Sequence, residues 1–230
     1  MNILLLGRGK TGSLVEEVAR QRGHNVRVVG ADENACGAAL VKEKLGGIDV
    51  VIDFTSPSCV VTNIEACVAA GKTMVVGTTG WHDKLGHIRQ WVESRGTGFV
   101  YGANFSIGVN LFYDVARAAA AALQHEYSGQ IFERHHAQKK DAPSGTALVI
   151  QRVISEAGGA NKGKALEITS FREGDVVGLH EVVLDSAADR IYLCHDAKSR
   201  KGFAEGAVKA AEWIAGRKGL YDFKDVWREL

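Results

Sequence analysis

The sequence predicts an α/β protein in two parts: a parallel sheet wrapped by helices, then an α+β domain with an open mixed sheet. Three observations predict it. Over the first hundred residues, short β-branched apolar runs alternate with helix-like stretches, the pattern of βαβ units. A glycine-rich hexapeptide, Gly7-Arg8-Gly9-Lys10-Thr11-Gly12, stands where the first apolar run meets the first helix. Beyond residue 165, three strand-like runs follow one another without clear helices between them, which suits an antiparallel or mixed sheet.

In chain order, residues 3–6, 26–29, 50–52, 74–76 and 99–101 read as buried strands, because apolar runs this short suit a covered sheet. Between them, 11–22, 59–70 and 82–94 carry amphipathic helical spacing. Residues 32–47 are short for a crossover and hold one irregular helix. A long alanine-rich helix over 109–125 opens the second part, followed by a strand over 130–136 and a helix over 144–157. The grouped strands are 166–171, 179–184 and 190–195. A final helix over 203–216 has a small-residue face, Ala204, Ala207 and Ala211, suited to close packing. The expected division is 1–106 with 203–230 for a dinucleotide-binding domain, and 107–202 for a substrate-binding and oligomerisation domain.

Composition narrows the function. The 230 residues are 46% hydrophobic and 24% charged, ordinary for a globular protein with a real core. A formal net charge of +1 argues against nucleic acid or an anionic membrane as partner. Cys36, Cys59, Cys67 and Cys194 are scattered without CxxC spacing, which fits reduced thiols and speaks against a cysteine-bound zinc. The apolar run at the N-terminus is too short for a signal peptide or membrane span, so a cytoplasmic location is expected.

Glycines after a first strand permit a tight turn and let the backbone approach a pyrophosphate, which meets the free N–H groups of the helix start. Asp32 follows the second strand about 20 residues later, where an acid holds a ribose 2′-hydroxyl. Together these features predict a Rossmann-type site for a nicotinamide dinucleotide. Gly9-Lys10-Thr11 does not make a P-loop, because Leu4 stands where that motif needs its first glycine. With Asp32 and Glu33 facing a 2′-phosphate, the sequence leans toward NADH over NADPH, softened by Arg8 and Lys10. Asp53 to Pro57 and Gly77-Thr78-Thr79-Gly80 follow further strands, at the ends where such sheets bind ligands; plain capped turns would look the same.

The densest chemistry lies between Glu133 and Ala147. His135, His136, Lys139 and Lys140 precede Ser144, Gly145 and Thr146, whose N–H groups open a helix. Cations beside a helix start suit a small dianion, with a proton donor at hand. A zinc reading is poor, because the histidines are adjacent and lack an obvious third ligand, so no metal is expected.

This segment, His135-His136-x-x-Lys139-x-Asp141-Ala142-Pro143-Ser144-Gly145-Thr146-Ala147, resembles the signature of the dihydrodipicolinate reductase (4-hydroxy-tetrahydrodipicolinate reductase) family. Val51 to Pro57, Gly77 to Gly80, Ala103 to Asn110, Arg172-x-Gly174-x-x-x-Gly178-x-His180, Ser199-Arg200 and Gly219 to Asp222 resemble family segments in the same order. The resemblance implies an NADH- or NADPH-dependent reductase of a small cyclic dicarboxylate on the diaminopimelate route to lysine. It implies that His135 donates or accepts the catalytic proton, that Lys139 is a second donor, and that His136, Ser144, Gly145 and Thr146 hold carboxylates. The glycine loop, Asp32, Gly77, Thr78, Thr79, Gly102, Ala103, Asn104 and Phe105 would hold the cofactor. It also implies a homotetramer joined through the second domain's sheet. The chain departs from the family in its glycine loop, one residue short of G-x-x-G-x-M-G, with Lys10 where arginine is common. Another Rossmann dehydrogenase, or a non-enzymatic nicotinamide sensor, stays open on the residues alone.

Overall fold

The computed structural model describes residues 1–35, 37–158 and 165–230. It divides into two compact units, Met1–Ile107 with Lys201–Leu230, and Gly108–Arg200. In chain order the first unit holds β1 (Asn2–Leu6), α1 (Lys10–Gln21), β2 (Asn25–Val29), α2 (Lys42–Leu45), β3 (Val50–Asp53), α3 (Val60–Ala69), β4 (Thr73–Val76), α4 (Leu85–Arg95) and β5 (Gly98–Tyr101). Next come α5 (Ile107–Ala119), β6 (Ser128–His135), α6 (Gly145–Ala157), β7 (Glu167–Arg172), β8 (Leu179–Asp185) and β9 (Arg190–Asp196). The chain then returns to the first unit with α7 (Lys201–Ile214), β10 (Gly219–Asp222) and α8 (Phe223–Val226).

The first unit is a doubly wound parallel sheet in the order β10-β5-β4-β3-β1-β2. Its central strands read as unbroken apolar runs because both faces are covered. Alternate residues feed two cores. Ile3, Leu5, Val50, Ile52, Val75 and Val100 meet Val15 and Val18 of α1 and Ala207, Val208, Ala211 and Ile214 of α7. Leu4, Leu6, Val51, Met74, Val76 and Phe99 meet Ile64 and Val68 of α3 and Ile88 and Val92 of α4. A fully buried aliphatic side chain such as Leu5 contributes about 1.5–3 kcal/mol by leaving water. The small face of α7 serves close approach: a Cβ on Gly206 would lie 1.7 Å from the Phe105 carbonyl oxygen.

Element boundaries differ from the sequence expectation by a residue or two, with three larger differences. The stretch 109–125 is α5, begun earlier, followed by a 3₁₀ segment, Ala120–Gln124. The 82–94 helix opens with a 3₁₀ turn, His82–Lys84. β10, which pairs with β5 at the sheet edge, was not anticipated, because only Leu220 among its four residues is buried. Cys67 and Cys194 are free, but Cys59 is disulfide-bonded, contrary to the expectation of reduced thiols. Spacing along a chain does not report distance across a fold.

The second unit has a mixed sheet, β7-β6-β8-β9, in which β6 is parallel to β7 and antiparallel to β8, and β8 is antiparallel to β9. α5 and α6 cover one face through Phe112, Ala116, Ile150, Val153 and Ile154 against Ile131, Val182 and Leu184. The register sets the rows of that covered face. Ile168, Ile131, Val182 and Leu193 form an apolar row; one step along, Ser170, Glu133, His180 and His195 form a polar one; next, Arg172 pairs with His135. The other face carries Phe132, Val183, Phe171 and Tyr192 around a groove of about 640 Å³, with Phe171 and Tyr192 exposed.

Candidate active site

Because every strand of the first sheet is parallel, the loops after β1, β3, β4 and β5 emerge at one edge. The glycines of the first loop divide the work. Gly7 sits at φ +104°, and a Cβ there would lie 2.2 Å from the Phe54 carbonyl oxygen. A Cβ on Gly12 would lie 2.3 Å from the Gly7 oxygen, so helix and turn pack on bare backbone. Gly9, the N-cap of α1, has nothing within 4 Å of that position and leaves room. Beside it lies a cavity of about 300 Å³, lined by Gly9, Lys10, Thr11, Gly12, Gly77, Thr78 and Thr79 together with Phe54, Thr55 and Pro57. A cradle with room over Gly9, helix-start amides and a lysine in the first turn fits the diphosphate of a dinucleotide.

The cavity walls are locked from beneath. Asp53 is fully buried; Oδ1 accepts from Thr55 N (3.0 Å), Thr55 Oγ1 (2.7 Å) and Thr78 Oγ1 (2.7 Å), and Oδ2 from Asn63 Nδ2 (2.8 Å). Burial raises its pKa against these bonds. Asn63 Oδ1 accepts from Asn34 Nδ2 (3.0 Å), and the Trp81 indole donates to the Thr78 carbonyl (2.7 Å).

Other expected cofactor residues lie outside that cavity. Asp32 is exposed beyond β2, and Glu33 beside it accepts from Arg8 at 2.8 Å. The fold thus brings an arginine to the acidic corner, where the sequence places none next to Asp32. Gly102 continues the β5 pairing through its N–H to Val76 O (3.2 Å), Ala103 is exposed, and Asn104 Oδ1 accepts from Ser106 N (2.9 Å). The Phe105 ring is core, packed on Phe223 with centroids 4.6 Å apart.

In the second unit, His135 ends β6 and is 7% exposed. Its Nδ1 is hydrogen-bonded to Glu133 Oε2. Glu133 is wholly buried, and Oε1 also accepts from Arg172 Nη2 (2.7 Å) and Ser144 N (3.3 Å). Burial works to raise the Glu133 pKa, but hydrogen bonds from Arg172, Ser170 and His135 outweigh it and hold the carboxyl at about 2. Burial likewise pushes the His135 imidazole below its usual range, opposed by Glu133. His180 stands edge-on to His135 with centroids 5.1 Å apart, and burial drives its pKa down to about 3. His180 Nε2 and Ser144 Oγ lie 3.1 Å apart.

Ser144 caps α6, accepting from Ala147 N at 3.2 Å and leaving Pro143 outside the helix. Its hydroxyl is committed to the cap and to His180. Gly145 is exposed with open space around it, and Thr146 is bonded through its side chain to Tyr113. Lys139 Nζ donates to both Asp141 oxygens (2.8 and 2.9 Å), while the His136 carbonyl closes the loop by accepting from Lys139 N (3.1 Å). Arg172 Nη2 also donates to the Asp141 carbonyl (2.6 Å), tying that loop to the sheet. Glu133, His135 and His180 are close enough together to hold a metal ion, but the Arg172 guanidinium already occupies the carboxylate they would share. Proximity in sequence revealed none of the partnership among Glu133, Arg172 and His180; only strand register does.

Comparison with known proteins bears on both units. Residues 1–105 match the family model "Dihydrodipicolinate reductase, N-terminus" and residues 108–227 match "Dihydrodipicolinate reductase, C-terminus". The 4-hydroxy-tetrahydrodipicolinate reductase of Christiangramia forsetii is 38% identical over 240 residues, covering 100% of this chain and 99% of that protein. That of Natronomonas pharaonis is 37% identical over 250 residues, covering 98% and 99%. Among solved structures, the dipicolinate-bound dihydrodipicolinate reductase from Paenisporosarcina sp. TG-14 has the same fold, with a TM-score of 0.79 at 24% identity over 98% of this chain and 99% of that one.

Proposed function

Since the chain belongs to the dihydrodipicolinate reductase family, we infer that it reduces dihydrodipicolinate, reached from 4-hydroxy-tetrahydrodipicolinate, to tetrahydrodipicolinate on the diaminopimelate route to lysine. It is an NAD(P)H-dependent oxidoreductase. The observation that carries this reading is the meeting of His135, Arg172 and the start of α6 around one buried carboxylate, with Lys139 on the loop that joins them. Such a group is built to receive a dianion and to move a proton.

The nicotinamide, when bound, supplies the hydride. Gly9, Lys10, Thr11 and Gly12 would hold its diphosphate, and Thr55, Gly77, Thr78 and Thr79 the adjoining sugar, on loops that Asp53 keeps rigid. The backbone at the start of α6, at Gly145 and Thr146, with His136, would bind the substrate's carboxylates. Lys139 and His135 hold the protons that complete the reduction, a role commonly worth about 10²–10⁴ in rate for one positioned donor. Burial leaves the His135 imidazole reluctant to ionise, and a dianion beside it restores its basicity.

We further propose NADH as the preferred cofactor, because Arg8 is engaged by Glu33 and Asp32 is left to accept from a 2′-hydroxyl. We also propose a cytoplasmic homotetramer; the exposed Phe171 and Tyr192 support assembly through the second face of the mixed sheet. No helix among the described residues is long and apolar enough to cross a membrane. The deciding experiment follows NADH and NADPH oxidation by the purified protein on adding freshly generated 4-hydroxy-tetrahydrodipicolinate. Oxidation that does not depend on that substrate would defeat the assignment.

A further inference from the structure

Glu133 has no part in the reaction as written, yet among the described residues it is the most deeply placed charge of the second unit. One row earlier, the same face of the sheet carries Ile168, Ile131, Val182 and Leu193. An apolar residue in place of Glu133 would continue that core, and exchanging a buried ion pair for well-packed apolar groups is often neutral or stabilising. Stability alone therefore does not account for a carboxylate here. We propose that Glu133 is the positioning residue of the proton-transfer group: it fixes His135 as the Nδ1–H tautomer, with Nε2 facing Gly178, and clamps Arg172 and the start of α6 to the same point. The inference rests on the reading of His135 given above.

The donors around Glu133 decide the tautomer. Arg172 donates to the carboxylate at 2.7 Å, the Ser144 backbone at 3.3 Å, and Ser170 through its hydroxyl. So surrounded, Glu133 is ionised and can only accept, which obliges His135 Nδ1 to carry the hydrogen. The free nitrogen is then Nε2. It lies 3.0 Å from the position a Cβ on residue 178 would take, and that residue is glycine, so its approach is left clear. The charged and titratable groups facing the ring are Glu133 on its own strand, Arg172 on β7, His180 on β8 and Lys139 on the following loop. When Nε2 takes up a proton, the imidazolium faces a carboxylate already in place. When it delivers the proton, the Nε2–H bond breaks, the new bond forms on the reduced ring, and imidazole returns to the neutral Nδ1–H form.

The test is Glu133→Gln, which keeps the shape and removes the charge. We expect kcat to fall by about 10²–10⁴, the range lost when a group that orients a catalytic histidine is neutralised or a proton-transfer group is mispositioned. NADH affinity in the absence of substrate stays within about twofold, since the cofactor cradle belongs to the other unit. The pH at which His135 must be protonated for turnover moves lower, because an imidazolium has lost its counter-charge. Long-range ¹H–¹⁵N NMR of the parent protein at neutral pH reads Nδ1–H for His135, and Glu133→Gln shows the ring mixed or reversed. Turnover of Glu133→Gln within about threefold of the parent would overturn the proposal, as would lost turnover with the tautomer unchanged. If that variant fails to fold, the parent spectrum alone decides: Nε2–H at neutral pH refutes it. A parent protein without substrate-dependent turnover would sink the functional reading instead, leaving the spectrum to judge the geometry.

Discussion

Alanine at each of the three loop glycines separates architecture from ligand room. At Gly7 an alanine must adopt φ +104°, a conformation that costs an L-residue about 1–2 kcal/mol, with its methyl 2.2 Å from the Phe54 oxygen. Relieving that overlap moves the end of β3 or of β1 and costs a further 1–3 kcal/mol or so, for a total of about 2–5 kcal/mol. A chain of this length loses about 2–4 °C of Tm per kcal/mol, so Gly7→Ala should melt about 4–20 °C lower. Gly12→Ala meets backbone at 2.3 Å but gains up to about 1 kcal/mol of helix propensity, so its loss is smaller. Gly9 has φ −72° and open space, so Gly9→Ala should keep the parent Tm. Its methyl instead stands where the diphosphate must approach. Losing one or two charge-assisted hydrogen bonds of about 1.5–3 kcal/mol should weaken NADH binding at least tenfold. Differential scanning fluorimetry and a fluorescence titration with NADH read the two axes. Unchanged melting of Gly7→Ala, or parent-like NADH affinity in Gly9→Ala, would refute the division of labour.

Lys139→Ala and His135→Ala should each lower kcat by one to several powers of ten while NADH affinity holds, with Lys139→Ala the more severe; near-normal turnover of Lys139→Ala would make the segment a structural loop. His180, held neutral with a pKa of about 3 against about 6.5 unfolded, stabilises the fold fully above about pH 6.5 and progressively less as pH falls toward 3. Each such proton costs about 1.4 kcal/mol per pH unit in that window, whereas the Glu133 contribution is lost only below about pH 4.5, where its unfolded form protonates. Urea denaturation at about pH 7.5 and about pH 5.5 should therefore show a loss that His180→Gln reduces; an equal loss in parent and variant would contradict it. NADH should be used at least as well as NADPH, and a kcat/KM for NADPH more than about tenfold higher would show Arg8 free to serve a 2′-phosphate. Light scattering should give a mass well above the chain's 24.7 kDa at micromolar concentration; a mass near that value would remove the case for the sheet interface.

Most of the fold was legible because the first unit's central strands are buried on both faces, so their apolar runs stand out without reference to the partner strand. Where burial is partial, as in β10, the signal fades. The glycine loop was legible as a motif, but not which glycine packs and which leaves room, since that depends on Phe54 arriving from another strand. In the second unit, His135, Lys139 and the α6 start lie within one segment and were readable together. Glu133 stood in that same segment without a role, because its partners Arg172 and His180 are 39 and 47 residues away and meet it only through register. The sequence presents Ser144 as a ligand-facing donor, whereas its hydroxyl is spent on its own helix and on His180.

The discontinuity of the first unit has a consequence for biosynthesis. Gly108–Arg200 is one uninterrupted stretch, whereas Met1–Ile107 lacks α7 and β10 until Lys201–Leu230 is made. Until then one core lacks Ala204, Ala207, Val208, Ala211 and Ile214, and β5 is an unpaired edge. During translation the later segment is thus the first able to fold completely, reversing the usual N-to-C order of domain folding. The nascent glycine loop must wait, with apolar strand faces exposed, for Lys201–Leu230 to leave the ribosome. A stalled or prematurely terminated message would yield a chain with a finished substrate unit and an open, aggregation-prone sheet.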